Sequence, residues 1–519
     1  MVEVLGARAR TFELEGHHFG LVHVTGLERA AHTPYDVRLD GERVWPPAEG
    51  WDWPESCIRT IGDDHGLRVS FGSCRLACPN EPPWTLTKDE DERGREHDAL
   101  SALAWRMRDQ DPEQYPHLLL LVGDQVYADE VPPATARFIA ERRDTSVPPG
   151  EQVADFEEYC RLYEDSWVEP SVRWLLSTVP TAMIFDDHDM HDDWNTSDEW
   201  VRDMRATGWW DERIVGGFMS YWAFQHLGNL APEDREEHEL WREVRAAEGD
   251  AGPIVREFAF RADREVAGAR WSFRRDLGRT RVVVMDSRAG RVLAPERRSM
   301  VDDEEWGYIE RWTEGDFDHV LLATSLPAFL GRGVHFLEAW NEAVCAGAWG
   351  GLAAQLGERL RRGLDLEHWA AFGRSLRALE GLLVDVADGR RGAAPGSVVL
   401  LSGDVHHAYL AEARRDGDTR APIYQAVCSP LRNPLDGHER HAVRIGLSRG
   451  AARAGRALAR AAGVEPEPLT WGISEGPWFD NQLATLDLDG RRGSLRIERA
   501  VGPPTRPPAL ESVLSRRLA

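Results

Sequence analysis

The 519-residue chain is 42% hydrophobic and 29% charged, an ordinary globular balance that excludes a disordered chain. Its 88 acidic residues against 62 basic ones give a formal net charge of −26, which disfavours non-specific capture of nucleic acid or an anionic membrane. The 6 cysteines are too scattered for a disulfide framework, and neither a signal-peptide core nor an apolar run long enough to span a membrane occurs, so a reduced, cytoplasmic protein is expected.

The first residues read as short β segments at 11–14, 19–25, 35–39 and 43–45, with Leu39-Asp40-Gly41-Glu42 as a hairpin turn. Pro46, Pro47 and Pro54 punctuate a linker to about Ile61. From Leu67 a different pattern sets in, in which a short apolar run ends abruptly in small, polar or charged residues. It occurs at 67–71 before Gly72-Ser73-Cys74-Arg75 and at 118–122 before Gly123-Asp124-Gln125-Val126-Tyr127. It returns at 182–185 before Asp186-Asp187-His188-Asp189, and at 281–285 before Asp286-Ser287-Arg288. The last two cases are 320–323 before Thr324-Ser325, and 398–401 before Ser402-Gly403-Asp404-Val405-His406-His407. Such runs are buried strands of an α/β protein, and ligands in these sheets sit beyond the carboxyl ends, so the six polar clusters should converge on one cleft. Helices over about 97–108, 156–166, 302–313 and 352–384 would cover the sheets. Arg449, Arg453, Arg456 and Arg460 recur at helical spacing and read as a solvated face. Trp209, Trp210, Trp222 and Trp369 read as core or interface.

The clusters offer a metal hard oxygens from Asp124, Asp187 and Asp404, an imidazole from His406, a phenol from Tyr127 and a thiol from Cys74. Strand-end carboxylates without matching lysines are costly to bury unless they hold cations. His188 follows a ligand directly and is placed to protonate a leaving oxygen; the bland alternative is a histidine satisfied by Asp192 or Asp193. Arg75 and Arg288 follow strand ends and suit bidentate capture of phosphate oxygens, although Asp286 offers Arg288 a structural partner. His407 is a weaker substrate-contact candidate. Cys78 near Cys74 invites a zinc reading, but no second Cys pair follows.

These motifs resemble the PhoD-like (alkaline phosphatase D) metallophosphatases of the calcineurin-like phosphoesterase superfamily. Gly123-Asp124-Gln125-Val126-Tyr127 is similar to the Gly-Asp-x-x-Tyr element shared with purple acid phosphatases, and Phe71-Gly72-Ser73-Cys74-Arg75 to the family's first motif. Asp186-Asp187-His188-Asp189 resembles its Asp-Asp-His-Glu, with Asp189 departing from the usual Glu. Ser402-Gly403-Asp404-Val405-His406 resembles the last motif, and Phe479-Asp480-Asn481-Gln482-Leu483 a tail element. The resemblance spans roughly 68–499 in the family's order. It implies a four-layer αββα metallophosphatase sandwich, of α/β (α+β) class, with a small N-terminal β domain. It also implies that Cys74, Asp124, Tyr127 and His406 bind ferric iron, while Asp124 bridges to a second site completed by Asp187 and Asp404, in the family often calcium. Thiolate and phenolate suit a trivalent ion and an all-oxygen site a hard divalent one, although other divalent metals fit it too. Thr324-Ser325 stands where ordinary metallophosphatases carry a histidine, which leaves the second metal open.

The organisation expected is a shortened β domain over 1–61, a catalytic domain over 62–505 and a tail over 506–519. The expected activity is metal-dependent hydrolysis of a small phosphoester, monoester or diester, with two metals activating hydroxide. No nucleic-acid module and no covalent intermediate are called for. Two alternatives remain at this stage: a bimetal hydrolase of a non-phosphate ester or amide, and a non-catalytic metal- or phosphate-binding protein.

Overall fold

Side chains alternate along the central strands. In Thr280–Met285, Val282 and Val284 enter one apolar cluster while Val283 and Met285 enter another. In Leu118–Val122, Leu120 and Val122 face one cluster and Leu119 and Leu121 a second. Strands apolar on both faces must be covered on both. The computed structural model, which describes residues 1–62 and 66–519, meets this demand with two stacked sheets between outer helices, an α-β-β-α order.

One sheet runs Thr181–Ile184, Leu118–Val122, Leu67–Gly72, Gln482–Asp489, Arg492–Val501, Ala509–Arg517. The other runs Phe273–Leu277, Thr280–Met285, His319–Thr324, Ser397–Ser402, Ile423–Val427, Ala408–Arg414, Thr470–Trp478. Val69, Phe71 and Ile184 of the first sheet meet Val284, Leu321 and Leu401 of the second, each burying a side chain worth about 1.5–3 kcal/mol. Helix Ala99–Arg108 covers the first sheet through Leu100, Leu103 and Met107, and helix Gly373–Ala387 the second through Leu376, Leu379 and Leu383. Leu67–Gly72, Leu118–Val122 and Thr181–Ile184 are mutually parallel, as are Thr280–Met285, His319–Thr324 and Ser397–Ser402. Within each sheet the six expected polar clusters therefore leave the strands at the same end.

All six expected strands form, with ends shifted by a residue or two. The expected helix over 352–384 is two, Gly351–Gly363 and Gly373–Ala387, interrupted near Asp365 with its φ of 47°. Helices Trp210–Tyr221, Gly252–Arg264 and Arg332–Cys345 have no counterpart in the sequence reading. Residues 506–519 are no tail, because Ala509–Arg517 pairs with Arg492–Val501 as an edge strand. At the N-terminus, Val37–Leu39 and Glu42–Trp45 form the expected hairpin, with Asp40 and Gly41 at φ 50° and 90°, as a type I′ turn requires. The segment expected over 19–25 is strand only at His17–Phe19. The arginine stripe lies on helix Arg449–Ala461 and is exposed, while Trp210, Trp222 and Trp369 are buried in the core.

Candidate metal centre

Four candidate ligands occupy a backbone conformation that L-residues avoid. Cys74, Asp124, Asp404 and His406 have φ of 57°, 46°, 65° and 48°. Such strain persists only where surrounding structure enforces it, and it concentrates at functional sites. Here the enforcement is explicit: Cys74 N donates to Gly123 O at 3.3 Å, Arg75 N to Asp124 O at 3.0 Å, and Gly403 N to Ser325 O at 2.9 Å. The loops pass close together. A Cβ on Gly403 would lie 1.8 Å from Ser73 Oγ, so only glycine lets these two strand ends meet. Asp189, the departure from Glu, is buried and accepts from the backbone N–H of Asp186 at 2.9 Å and of Val126 at 3.4 Å, tying two ligand-bearing loops together.

The side chains converge in two overlapping groups. Ligand atoms of Cys74, Asp124 and His406 lie within 4.8 Å of one another, as do those of Asp124, Asp186, Asp187 and Asp404. Asp124 belongs to both. Tyr127 is buried, with its hydroxyl 3.5 Å from Asp124 Oδ2. Asp186, read in the sequence only as part of a motif, is a fourth carboxylate of the second group. Oxygens of Asp124 and Asp186 are buried without a hydrogen-bond partner. Burial, with Asp186 beside it, pushes the Asp124 carboxyl far up, and burial beside Asp124 and Asp404 does the same to the Cys74 thiol. Burial lowers His406 to about 4, which keeps its imidazole neutral, the form that ligates. Orphaned oxygens and crowded like charges are what a cation cures, so these residues fit metal ions.

His188 stacks on Tyr127 at 4.6 Å between ring centroids. Its Nδ1 donates to Asp129, 2.9 and 3.0 Å from the two oxygens, while Nε2 lies 3.8 Å from the exposed Asp192. Its principal partner is thus neither Asp192 nor Asp193 but Asp129, two residues beyond Tyr127. Burial alone would lower His188, but Asp129, and then Asp187, raise it well above the ordinary histidine value. A second histidine escaped the sequence reading. His368 sits between Glu338, at 2.7 Å from Nδ1, and Asp404, at 3.1 Å from Nε2. Burial would raise Asp404, but the hydrogen bond from His368 and its charge hold it below the usual carboxylate range. His368 follows no strand; it lies in the break between two helices that read as one.

Both arginines expected to clamp phosphate are committed elsewhere. Arg75 is 3% exposed; its guanidinium binds Asp98 at 2.9 and 2.8 Å and Ser166 O at 2.8 Å. Asp98 in turn caps helix Ala99–Arg108, so Arg75 anchors a helix start. Arg75→Ala should therefore cost stability, about 3–5 kcal/mol for an orphaned buried carboxylate, with little change in KM. Thermal denaturation and steady-state kinetics check this; a raised KM with unchanged stability would restore the clamp. Arg288 is fully buried against Asp186, Asp187 at 3.0 Å, Glu367 at 2.6 Å and Asp404 at 3.6 Å, so it holds ligand carboxylates in place. Asp286, its expected partner, accepts the Arg288 backbone N–H instead. His407 lines the cavity, with Nδ1 donating to Val405 O at 2.6 Å and its ring stacked on Tyr409.

Residues 102–250 match the model of the PhoD-like phosphatase family. That segment contains Asp124, Tyr127, Asp187 and His188. That segment is PhoD-like. Residues 1–58 match a domain of unknown function, DUF7800. A solved structure of PhoD superposes with a TM-score of 0.54 at 10% identity, covering 97% of this chain and 80% of that one, which is a likeness of fold. Purple acid phosphatase PPD1 from yellow lupin (Lupinus luteus) seeds aligns over 92% of this chain and 59% of its own at 10% identity, with a TM-score of 0.46. No curated protein matches the chain in sequence. Among the described residues, no helix is long and apolar enough to cross a membrane.

Proposed function

We propose that this chain hydrolyses small phosphoesters, monoesters or diesters, in a cavity of about 420 Å³ floored by Asp124, Asp187, His188, Asp404 and His406. The observation that supports it most is the shared position of Asp124 in two ligand groups whose backbone is held in a strained conformation. Cys74, Asp124, Tyr127 and His406 would hold one ion, best suited to ferric iron, and Asp124, Asp187 and Asp404 a second, best suited to calcium. Bound there, the ions supply charge against the phosphoryl oxygens and make water acidic enough to attack at neutral pH.

The chain's own groups do the rest. Arg288 and His368 hold the Asp187 and Asp404 carboxylates in place. Asp129 keeps His188 protonated and fixes its ring through Nδ1, which leaves Nε2–H to protonate the leaving oxygen. Elemental analysis of the purified protein, with rates on 4-nitrophenyl phosphate and bis(4-nitrophenyl) phosphate, tests the reading. Full activity after exhaustive chelation, with no metal found, would overturn the metal mechanism, and activity on amides or carboxylic esters alone would overturn the substrate class.

Iron has its own signature. A phenolate and a thiolate on ferric iron give ligand-to-metal charge transfer, which calcium and zinc cannot, lacking a redox state to accept the electron. Protein grown with iron should show a broad visible band that shifts in Tyr127→Phe, weakens in Cys74→Ser and bleaches on reduction. A colourless, active, iron-free enzyme would refute iron while leaving other metals in place.

A further inference from the structure

The cavity is lined by unlike groups. Besides its carboxylates and histidines, the cavity is lined by Leu330, Val334, Leu364, Leu435, Val443 and Leu447, with Glu439 on the same helix as Val443. These side chains come from three separate stretches of chain: the start of helix Arg332–Cys345, the end of helix Gly351–Gly363, and the region of helix Gly437–Gly446. That last helix is unusual in burying no residue of its own, so it is not a core element. Val443 and Leu447 are four residues apart, hence on one side of the helix, and both are half-buried at the cavity. Leu364 is 52% exposed.

The wall is seated tightly rather than laid loosely over the site. A Cβ on Gly331 would fall 2.4 Å from Leu447 Cδ2, and one on Gly333 would fall 2.3 Å from Gly446 O, so both glycines let the helix end settle against its neighbour. Leucine and valine side chains that line a charged cleft gain free energy when an apolar group covers them and removes their surface from water. The cavity is continuous with the proposed phosphoryl site, and its volume of about 420 Å³ suits a small molecule. The group that reaches the wall is then attached to the phosphorus.

We propose that the organic part of the substrate is apolar, making this a site for alkyl or aryl phosphoesters rather than for sugar or polyol phosphates. The inference rests on the phosphoesterase reading above. Non-hydrolysable phosphonates separate the two, because their binding is read without turnover. Titration calorimetry of the full, metal-loaded chain with methyl-, butyl- and hexylphosphonate should show Kd falling at least about tenfold along the series, since each buried methylene is worth up to roughly fourfold. 3,4-Dihydroxybutylphosphonate, a polyol isostere, should bind more weakly than butylphosphonate. Val443→Asp should flatten the ratio of methyl to hexyl affinity. Leu364→Asn, at a half-exposed position, gives the same readout should Val443→Asp fail to fold. Hydrolysis of 4-nitrophenyl phosphate together with a flat phosphonate series, or preference for the dihydroxy compound, overturns the inference alone. Neither hydrolysis nor phosphonate binding overturns the reading it rests on, and the inference with it.

Discussion

Asp124→Asn is expected to abolish phosphoester hydrolysis and to cost the protein both metal ions together. Asp124 belongs to both ligand groups, so one substitution weakens each site at once. A metal centre supplies several kcal/mol of transition-state stabilisation, and each 1.4 kcal/mol is tenfold in rate, so the loss should be roughly 10³-fold or more. Stability should move the opposite way in metal-free protein. There Asp124 is a buried carboxyl pushed far up by burial and by Asp186, with one oxygen unpartnered. A neutral amide avoids the cost of taking up a proton to bury that group, so chelated Asp124→Asn should melt no lower than chelated wild type. Added metal should raise the Tm of wild type only. Elemental analysis, kcat and melting curves with and without metal read all three effects. Retention of both metals at full activity would show that Asp124 does not bridge them.

His188→Ala should differ in kind, lowering turnover by roughly 10²–10⁴-fold, the usual worth of a general acid, while metal content stays at the wild-type level. The loss should be larger for alkyl esters, whose leaving alkoxide needs the proton, than for nitrophenyl esters. Asp129→Asn gives a subtler test of the same assignment. Asp129 is the largest influence raising His188, so its loss lowers that pKa. A general acid works below its pKa, and the fall in kcat on the alkaline side should therefore begin at lower pH in Asp129→Asn. The pH–rate profiles of wild type and variant measure the shift. If His188→Ala loses metal stoichiometrically, His188 is a ligand and its role as acid falls.

Much of the site was legible because its signals are local. A short continuous apolar run that stops abruptly at small, polar or charged residues marks a strand end, and Asp124, Asp187 and Asp404 lie two or three residues past such ends. The six strands, the convergence of their ends and the set of six candidate ligands follow from that pattern and from motif order. None of it required knowing which distant residue lies beside which. The misread side-chain pairings at the site concern partners remote in sequence. Arg75 follows a strand end as the ligands do, but its guanidinium meets Asp98 in the cap of the next helix, 23 residues on. Arg288 meets Asp186, 102 residues away. His188 takes Asp129 across 59 residues, and His368 reaches Asp404 across 36 from a helix break that carries no strand signal. A charged side chain beside a cleft is free only if nothing nearer neutralises it, and at low dielectric the nearest opposite charge decides. Sequence by itself determined the strand-end groups that reach the centre of this molecule. Only the packing of helices and loops around them decided which of those groups are already paired and which remain free to act.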